Sequence, residues 1–161
     1  MSVNRDQPHL LVLPEDDANR QIFNGFIKHL SVNSSAIKGL PIANGWKKVV
    51  DQLMNDYAHR MRKFPHAMIV LIIDFDKDEN RFSYVESHIP DDLKERVFVL
   101  GVQSNPENLR RATKKSFEEI GKALAKDCSD NTNELWGHPL LEHNKTELER
   151  MLSSVKPFLF L

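Results

Sequence analysis

The sequence predicts an α/β domain whose mainly parallel central sheet is flanked by helices in three layers. Two short apolar runs carry that expectation, His9-Leu-Leu-Val-Leu13 and Ala67-Met-Ile-Val-Leu-Ile-Ile73. The second is apolar at every position and rich in β-branched residues, the pattern of a central strand buried on both faces. Amphipathic helical stretches alternate with such runs, and that alternation belongs to parallel sheets.

In chain order, the first strand is closed by Pro14, which cannot donate to a ladder, so pairing is expected to stop there. Ile22, Phe23, Phe26, Ile27 and Leu30 then fall at helical spacing and predict a helix from about Asp16 to Leu30. Asp16 and Asp17 stand at its start, where the helix dipole favours negative charge. The Ser-, Gly- and Pro-rich stretch 31–45 holds room for a short strand around Ala36–Ile42. Trp46, Val49, Val50, Leu53, Met54, Tyr57 and Met61 recur at three- and four-residue steps and predict a second helix over Gly45–Lys63. Val97-Phe-Val-Leu-Gly-Val102 reads as a further strand. Ser104-Asn-Pro-Glu-Asn108 is a helix start with Pro106 in the first turn, the helix running to about Asp127. A last helix is expected near Thr146, where Thr146 and Glu149 have capping-box spacing. The final Phe158-Leu-Phe-Leu161 predicts an edge strand or an oligomer contact.

Composition narrows the function classes. The 161 residues make one domain, 1–161, with 22 Lys and Arg against 23 Asp and Glu. That balance, with an isoelectric point near 6.7, excludes a polybasic nucleic-acid binder; contact with DNA or RNA would need a local patch, a metal ion or a partner. One cysteine, Cys128, excludes an internal disulfide framework and a cysteine-rich zinc site. No apolar run approaches a membrane span and no hydrophobic signal region opens the chain, so a cytoplasmic protein without a membrane partner is expected.

The chemistry concentrates in two acidic clusters at strand ends: Glu15-Asp16-Asp17 after the first strand and Asp74-Phe-Asp-Lys-Asp78 after the central one. Ligands of open parallel sheets bind beyond the carboxyl ends of the strands. Strand alternation would turn Asp74 and Asp76 to one side and Phe75 to the other. Two carboxylates so placed repel each other unless a cation lies between them, and hard oxygen ligands suit Mg²⁺ or Mn²⁺. A carboxylate from the first strand's end would complete the site or move a proton. Solvated acidic turns are the plain alternative. An EF-hand is excluded, because Glu79 and Val85 stand where its Gly and Glu belong.

A Glu after the first strand, then a helix, then a hydrophobic strand ending in Asp-x-Asp resembles the TOPRIM domain, shared by primases, topoisomerases, OLD-family nucleases and small stand-alone bacterial proteins. The resemblance covers a core of about residues 8–110, with 111–161 as a helical extension. It implies Mg²⁺-dependent phosphoryl transfer on nucleic acid, with Glu15 as general acid or base, Asp74 and Asp76 on the metal, and Asp78 as a further ligand. Asp16 and Asp17 are auxiliary acids. The loop departs from the family's Glu-Gly-x-x-Asp. Aligned on Asp17, the Glu position holds Leu13; aligned on Glu15, Asp16 replaces the Gly. The first register implies a metal-binding or degenerate domain, and the second an enzyme; a non-catalytic module of a larger, ATPase-containing assembly is the alternative the fold's analogy offers. The acidic turn also resembles that of phosphoacceptor receiver domains, in which reading Asp74 is the acceptor and Lys156-Pro157 supplies the lysine. A haloacid-dehalogenase-like start is a weaker match.

Among other residues, Arg110, Arg111 and Lys114 are candidate phosphate contacts, set against a plainly solvated helix face. Lys47, Lys48, Arg60, Arg62 and Lys63 form a second basic group around the second helix. His138 and His143, five apart around Pro139, suit loop hydrogen bonding better than zinc, and Trp136 is a packing anchor. Cys128 has no neighbouring His to make it a nucleophile. A homo-oligomer is compatible with the apolar C-terminus.

Overall fold

Each long apolar run becomes a strand with helices on both sides. The computed structural model describes residues 3–161. Its strands are β1 (His9–Pro14), β2 (Ile37–Gly39), β3 (Ala67–Ile72) and β4 (Val97–Leu100), all parallel, in the order β2-β1-β3-β4. Parallel neighbours need crossovers. Helix α1 (Asp17–Ile27) links β1 to β2. The run of α2 (Trp46–Gln52), a π-helical turn (Leu53–Tyr57) and α3 (Ala58–Lys63) links β2 to β3, and α4 (Asn80–His88) links β3 to β4. Then come α5 (Pro106–Thr113), α6 (Phe117–Asp130) and α7 (Lys145–Leu159).

Alternation along the central strands feeds two cores. Leu11, Leu13, Ile69 and Leu71 pack with Val49, Leu53, Met61, Val85 and Leu93 on one face. Leu10, Val12, Val70 and Phe98 pack with Ala125, Met151, Val155 and Leu159 on the other. Each fully buried aliphatic side chain of this kind stabilises the fold by about 1.5–3 kcal/mol. On the second face α1 and α6 meet backbone to backbone. A Cβ on Gly121 would stand 1.8 Å from the Ile22 carbonyl oxygen, and one on Gly25 would stand 1.9 Å from that of Glu118.

Several boundaries differ from the sequence expectation. Pairing does not stop at Pro14, because Glu15 N still donates to Ile72 O at 2.8 Å. The nitrogen of Pro14 faces the β2 side, where the strand has already ended, and its carbonyl accepts from Ala43 N at 3.0 Å. The single helix expected up to Asp127 is two. Lys114 takes a left-handed conformation (φ 57°) that ends α5. Ser116 and Glu119 then form a reciprocal capping box for α6. Thr146 caps nothing, because α7 continues directly from a 3-10 turn over Glu142–Asn144. The C-terminal residues form no strand: α7 runs through Pro157 to Leu159, and Phe160 makes one antiparallel bridge to Val32. Helix α4 was not foreseen, since its apolar stripe is short.

Helix α7 also covers the outer edge of β4. Asn144 accepts from Gly101 N (3.1 Å) and donates to Gly101 O (2.9 Å). Glu147 accepts from Val99 N at 2.9 Å, and Arg150 donates to Val97 O at 2.6 Å.

Candidate metal centre

The strand order reverses between β1 and β3, so the crossovers on either side diverge and leave a crevice at their carboxyl ends. β1 delivers Glu15 and Asp16 to that crevice, and β3 delivers Asp74. Oxygens of these three carboxylates lie within 4.8 Å of one another. Backbone bonds fix the approach: Glu15 O accepts from Asn44 N at 2.7 Å, and Ile73 N donates to Leu100 O at 3.0 Å.

Asn19 ties the cluster together. Asp16 is the N-cap of α1, its Oδ1 accepting from Asn19 N at 3.0 Å and from Asn19 Nδ2 at 2.9 Å. The same Nδ2 donates to Asp74 Oδ1 at 2.9 Å, and the Asp74 amide donates to Glu15 Oε1 at 3.0 Å. Asn19 is 1% exposed, so the bridge is shielded from water. The Asp16 and Asp74 carboxyls also come within hydrogen-bonding reach of each other, which favours a shared proton between them until a cation takes its place.

Burial pushes the Asp74 carboxyl up to about 8; the Asn19 hydrogen bond opposes this, and the charges of Asp16 and Glu15 add to it. Glu15 is raised as well, again chiefly by burial, with its hydrogen bond from Asp74 N acting against the shift. The raised Asp74 carboxyl holds its proton near neutrality, and a cation in the cluster would displace it. The donor set is all oxygen, which fits a hard divalent ion such as Mg²⁺ or Mn²⁺.

Comparisons with protein-family models, curated proteins and solved structures returned no match.

Of the acids singled out in the sequence, Glu15, Asp16 and Asp74 come together, while Asp17, Asp76 and Asp78 stand apart. Asp17 is exposed and bonds Arg20 and Gln21, and the Arg20 hydrogen bond holds its carboxyl below the usual range. The expected pairing of Asp74 with Asp76 does not form. Alternation is lost because Asp76 (φ 50°) and Lys77 (φ 57°) turn left-handed. The Asp76 side chain is 67% exposed and lies 3.5 Å from Arg81. Asp78 accepts from Asn80 N at 2.9 Å in the turn that opens α4. Phe75 does turn away from Asp74, into the core beside Phe82 and His143.

The cations of α5 have partners within their own neighbourhood. Arg110 covers the Phe117 ring, Arg111 bonds Asn108, and Lys114 ends α5, so all three belong to the half of that helix remote from its start after β4. Arg81, which sequence reasoning missed, reaches the site instead. Its Nη1 donates to Asp74 O at 2.7 Å, and its charge lowers the pKa of Glu15. The available signal was an Arg one turn beyond the acidic loop. Lys156 is carried by α7 to the amino end of the sheet, where it bonds Asn131. The phosphoacceptor reading, which needs that lysine beside Asp74, lacks it. His138 serves the loop, its Nδ1 accepting from Leu140 N at 3.1 Å. Trp136 anchors by donating to Leu124 O at 3.1 Å.

Proposed function

We propose that this chain holds Mg²⁺ or Mn²⁺ through Asp16 and Asp74, with Glu15 beside them as general acid or base, and performs phosphoryl transfer there, as a phosphodiester hydrolase acting on nucleic acid. The observation that carries the reading is the convergence of three carboxylates, one of them buried, at the crevice where the strand order reverses. When bound, the ion supplies Lewis-acid stabilisation of charge developing on phosphate oxygens. Glu15 takes up and releases the proton at Oε2; its raised pKa suits that work near neutral pH. Asn19 fixes the spacing of Asp16 and Asp74, and Arg81 adds positive charge for an anionic substrate. The TOPRIM-like pattern supports the same role for Glu15, with Asp16 taking the ligand position that the pattern gives to Asp76.

Calorimetric titration with Mg²⁺ and Mn²⁺ tests the site, followed by a nicking assay on metal-loaded protein. Wild-type protein is expected to bind the ion and Asp74→Asn to lose it, with Glu15→Gln abolishing cleavage. Binding without cleavage would make the chain a metal-binding module of a larger assembly. No binding at millimolar concentration would overturn the proposal.

A further inference from the structure

We infer that the corner formed by Trp46, Lys47, Arg81 and Tyr84 is the seat of a nucleotide, its phosphate on the two cations and its base against the exposed aromatic edge. The corner adjoins the acidic cluster through the backbone at both ends. Asn44 N and Gly45 N both donate to Glu15 O, at 2.7 and 3.3 Å, so Trp46 follows directly from the loop that seals Glu15. Arg81, on the opposite wall, holds Asp74 O.

The four side chains form a connected surface. The Trp46 and Tyr84 rings meet edge to face with centroids 5.2 Å apart. The Arg81 guanidinium lies 4.9 Å from the Trp46 centroid. The Lys47 ammonium lies 5.5 Å from Trp46 and 5.6 Å from Tyr84. Cation–aromatic pairs are common surface features and by themselves carry nothing. Two further facts separate this corner from decoration. Among the described residues, Arg81 Nε is a buried donor with no hydrogen-bond partner. Its Nη2 reaches only the exposed Asp76, at 3.5 Å. Lys47, likewise, has no carboxylate within salt-bridge distance among the described residues. Arg81 Nε is enclosed and Nη1 is spent on Asp74 O, so Nη2 and the Lys47 ammonium are the donors an anion can reach, and a planar guanidinium suits phosphate.

The aromatic half defines the rest of the ligand. Tyr84 is 37% exposed, with His88 stacked near it at 4.3 Å. A base that joins this stack contributes dispersion and cation–π energy without sequence preference, as on single-strand binding surfaces. The ligand class is therefore a nucleotide, either free or as one unit of a single strand. The seat deepens the phosphoryl-transfer reading and rests on it for the phosphate's place beside the acids, but it binds without the metal and is tested that way.

The chain has two tryptophans, so Trp136→Phe leaves Trp46 as the reporting indole. With divalent ions chelated, its emission is titrated with thymidine 5′-monophosphate, a short oligothymidylate and inorganic phosphate. A saturable change with the nucleotide is expected. Lys47→Ala and Tyr84→Ala, both at exposed positions, should each weaken nucleotide binding about tenfold, near the lower end of the worth of one stacked base. Tyr84→Ala should leave inorganic phosphate binding unchanged. Saturation by the mononucleotide identifies a free nucleotide; saturation by the oligomer alone identifies a strand. An unresponsive Trp46, or wild-type affinity in both alanine variants, overturns the inference. Calorimetry with Mg²⁺ on the same variants separates the two readings: nucleotide binding without ion binding would sink the metal centre and leave the seat, and the reverse would sink the seat alone.

Discussion

Replacing Asp74 by Asn should make the metal-free protein more stable, and the gain should grow with pH. The buried carboxyl is raised to about 8 in the folded state, whereas an unfolded aspartate titrates near 3.9. The folded pKa lies above the unfolded one, so the folded chain binds the extra proton. Stability is full below the unfolded value and is lost as pH rises through the folded one. Each pH unit in that window is worth about 1.4 kcal/mol, giving an upper bound of about 6 kcal/mol. Water at the crevice screens part of this, and about half leaves 2–3 kcal/mol at pH 8. Asn keeps Oδ1 for the Asn19 bond, and the amide and carbonyl of residue 74 still serve Glu15 and Arg81. The substitution therefore removes the charge and little else. In chelator, Asp74→Asn should raise the Tm at pH 8 by about 5–10 °C over wild type, and the two should converge near pH 4. Adding Mg²⁺ at pH 8 should stabilise wild type alone, by about 2.7 kcal/mol at a hundredfold excess over Kd. A variant less stable than wild type at pH 8, or a gap independent of pH, would refute the account of Asp74 as an uncompensated buried charge.

Other substitutions probe what holds the site in place. Asp127 is 3% exposed and accepts from Thr132 Oγ1 (2.7 Å), Leu135 N (2.8 Å) and Trp136 N (3.1 Å). Asp127→Ala strands those donors and should cost about 3–5 kcal/mol in urea denaturation. Gly121→Ala drives a methyl into the Ile22 carbonyl. It should force α6 off α1 and lower stability by about 3 kcal/mol or more, read as a drop in the urea midpoint at unchanged slope. Cys128 is buried and its thiol is pushed up to about 12, chiefly by burial. The native protein should therefore resist a disulfide-exchange reagent at pH 8 and react only in denaturant, and rapid native labelling would contradict the burial.

What could be read in advance followed from local pattern. β1, β3 and β4 were legible because a strand buried on both faces leaves a short unbroken apolar run, whereas β2, three residues with a lysine at its centre, leaves none. Glu15, Asp16 and Asp74 were legible as acids directly following such runs. Their grouping without Asp76 was not, because it depends on a left-handed turn at Asp76 and Lys77 that two non-glycine residues adopt. Nor was Asn19, a polar residue on a helix, which becomes the keystone only once the order of β1 and β3 sets Asp74 opposite it. Arg81 was hidden for the same reason: its partners are a backbone carbonyl seven residues away and the indole of Trp46. The break between α5 and α6 was written in Ser116 and Glu119, yet the apolar periodicity on either side runs across it.

The covering of β4 by α7 has a consequence for how the molecule meets its own copies. An exposed strand invites another chain to pair with it, and parallel sheets with bare rims are prone to grow. Here Asn144, Glu147 and Arg150, one helical turn apart, satisfy the outward backbone groups of Gly101, Val99 and Val97, which are two residues apart. The helix thus counterfeits a fifth strand out of side chains, supplying acceptors and donors in the order a neighbour would present them. A chain approaching that rim would have to evict an amide, a carboxylate and a guanidinium before making its first bond. Polymerisation through this side of the sheet is blocked by the fold's own chemistry, and assembly is left to other surfaces.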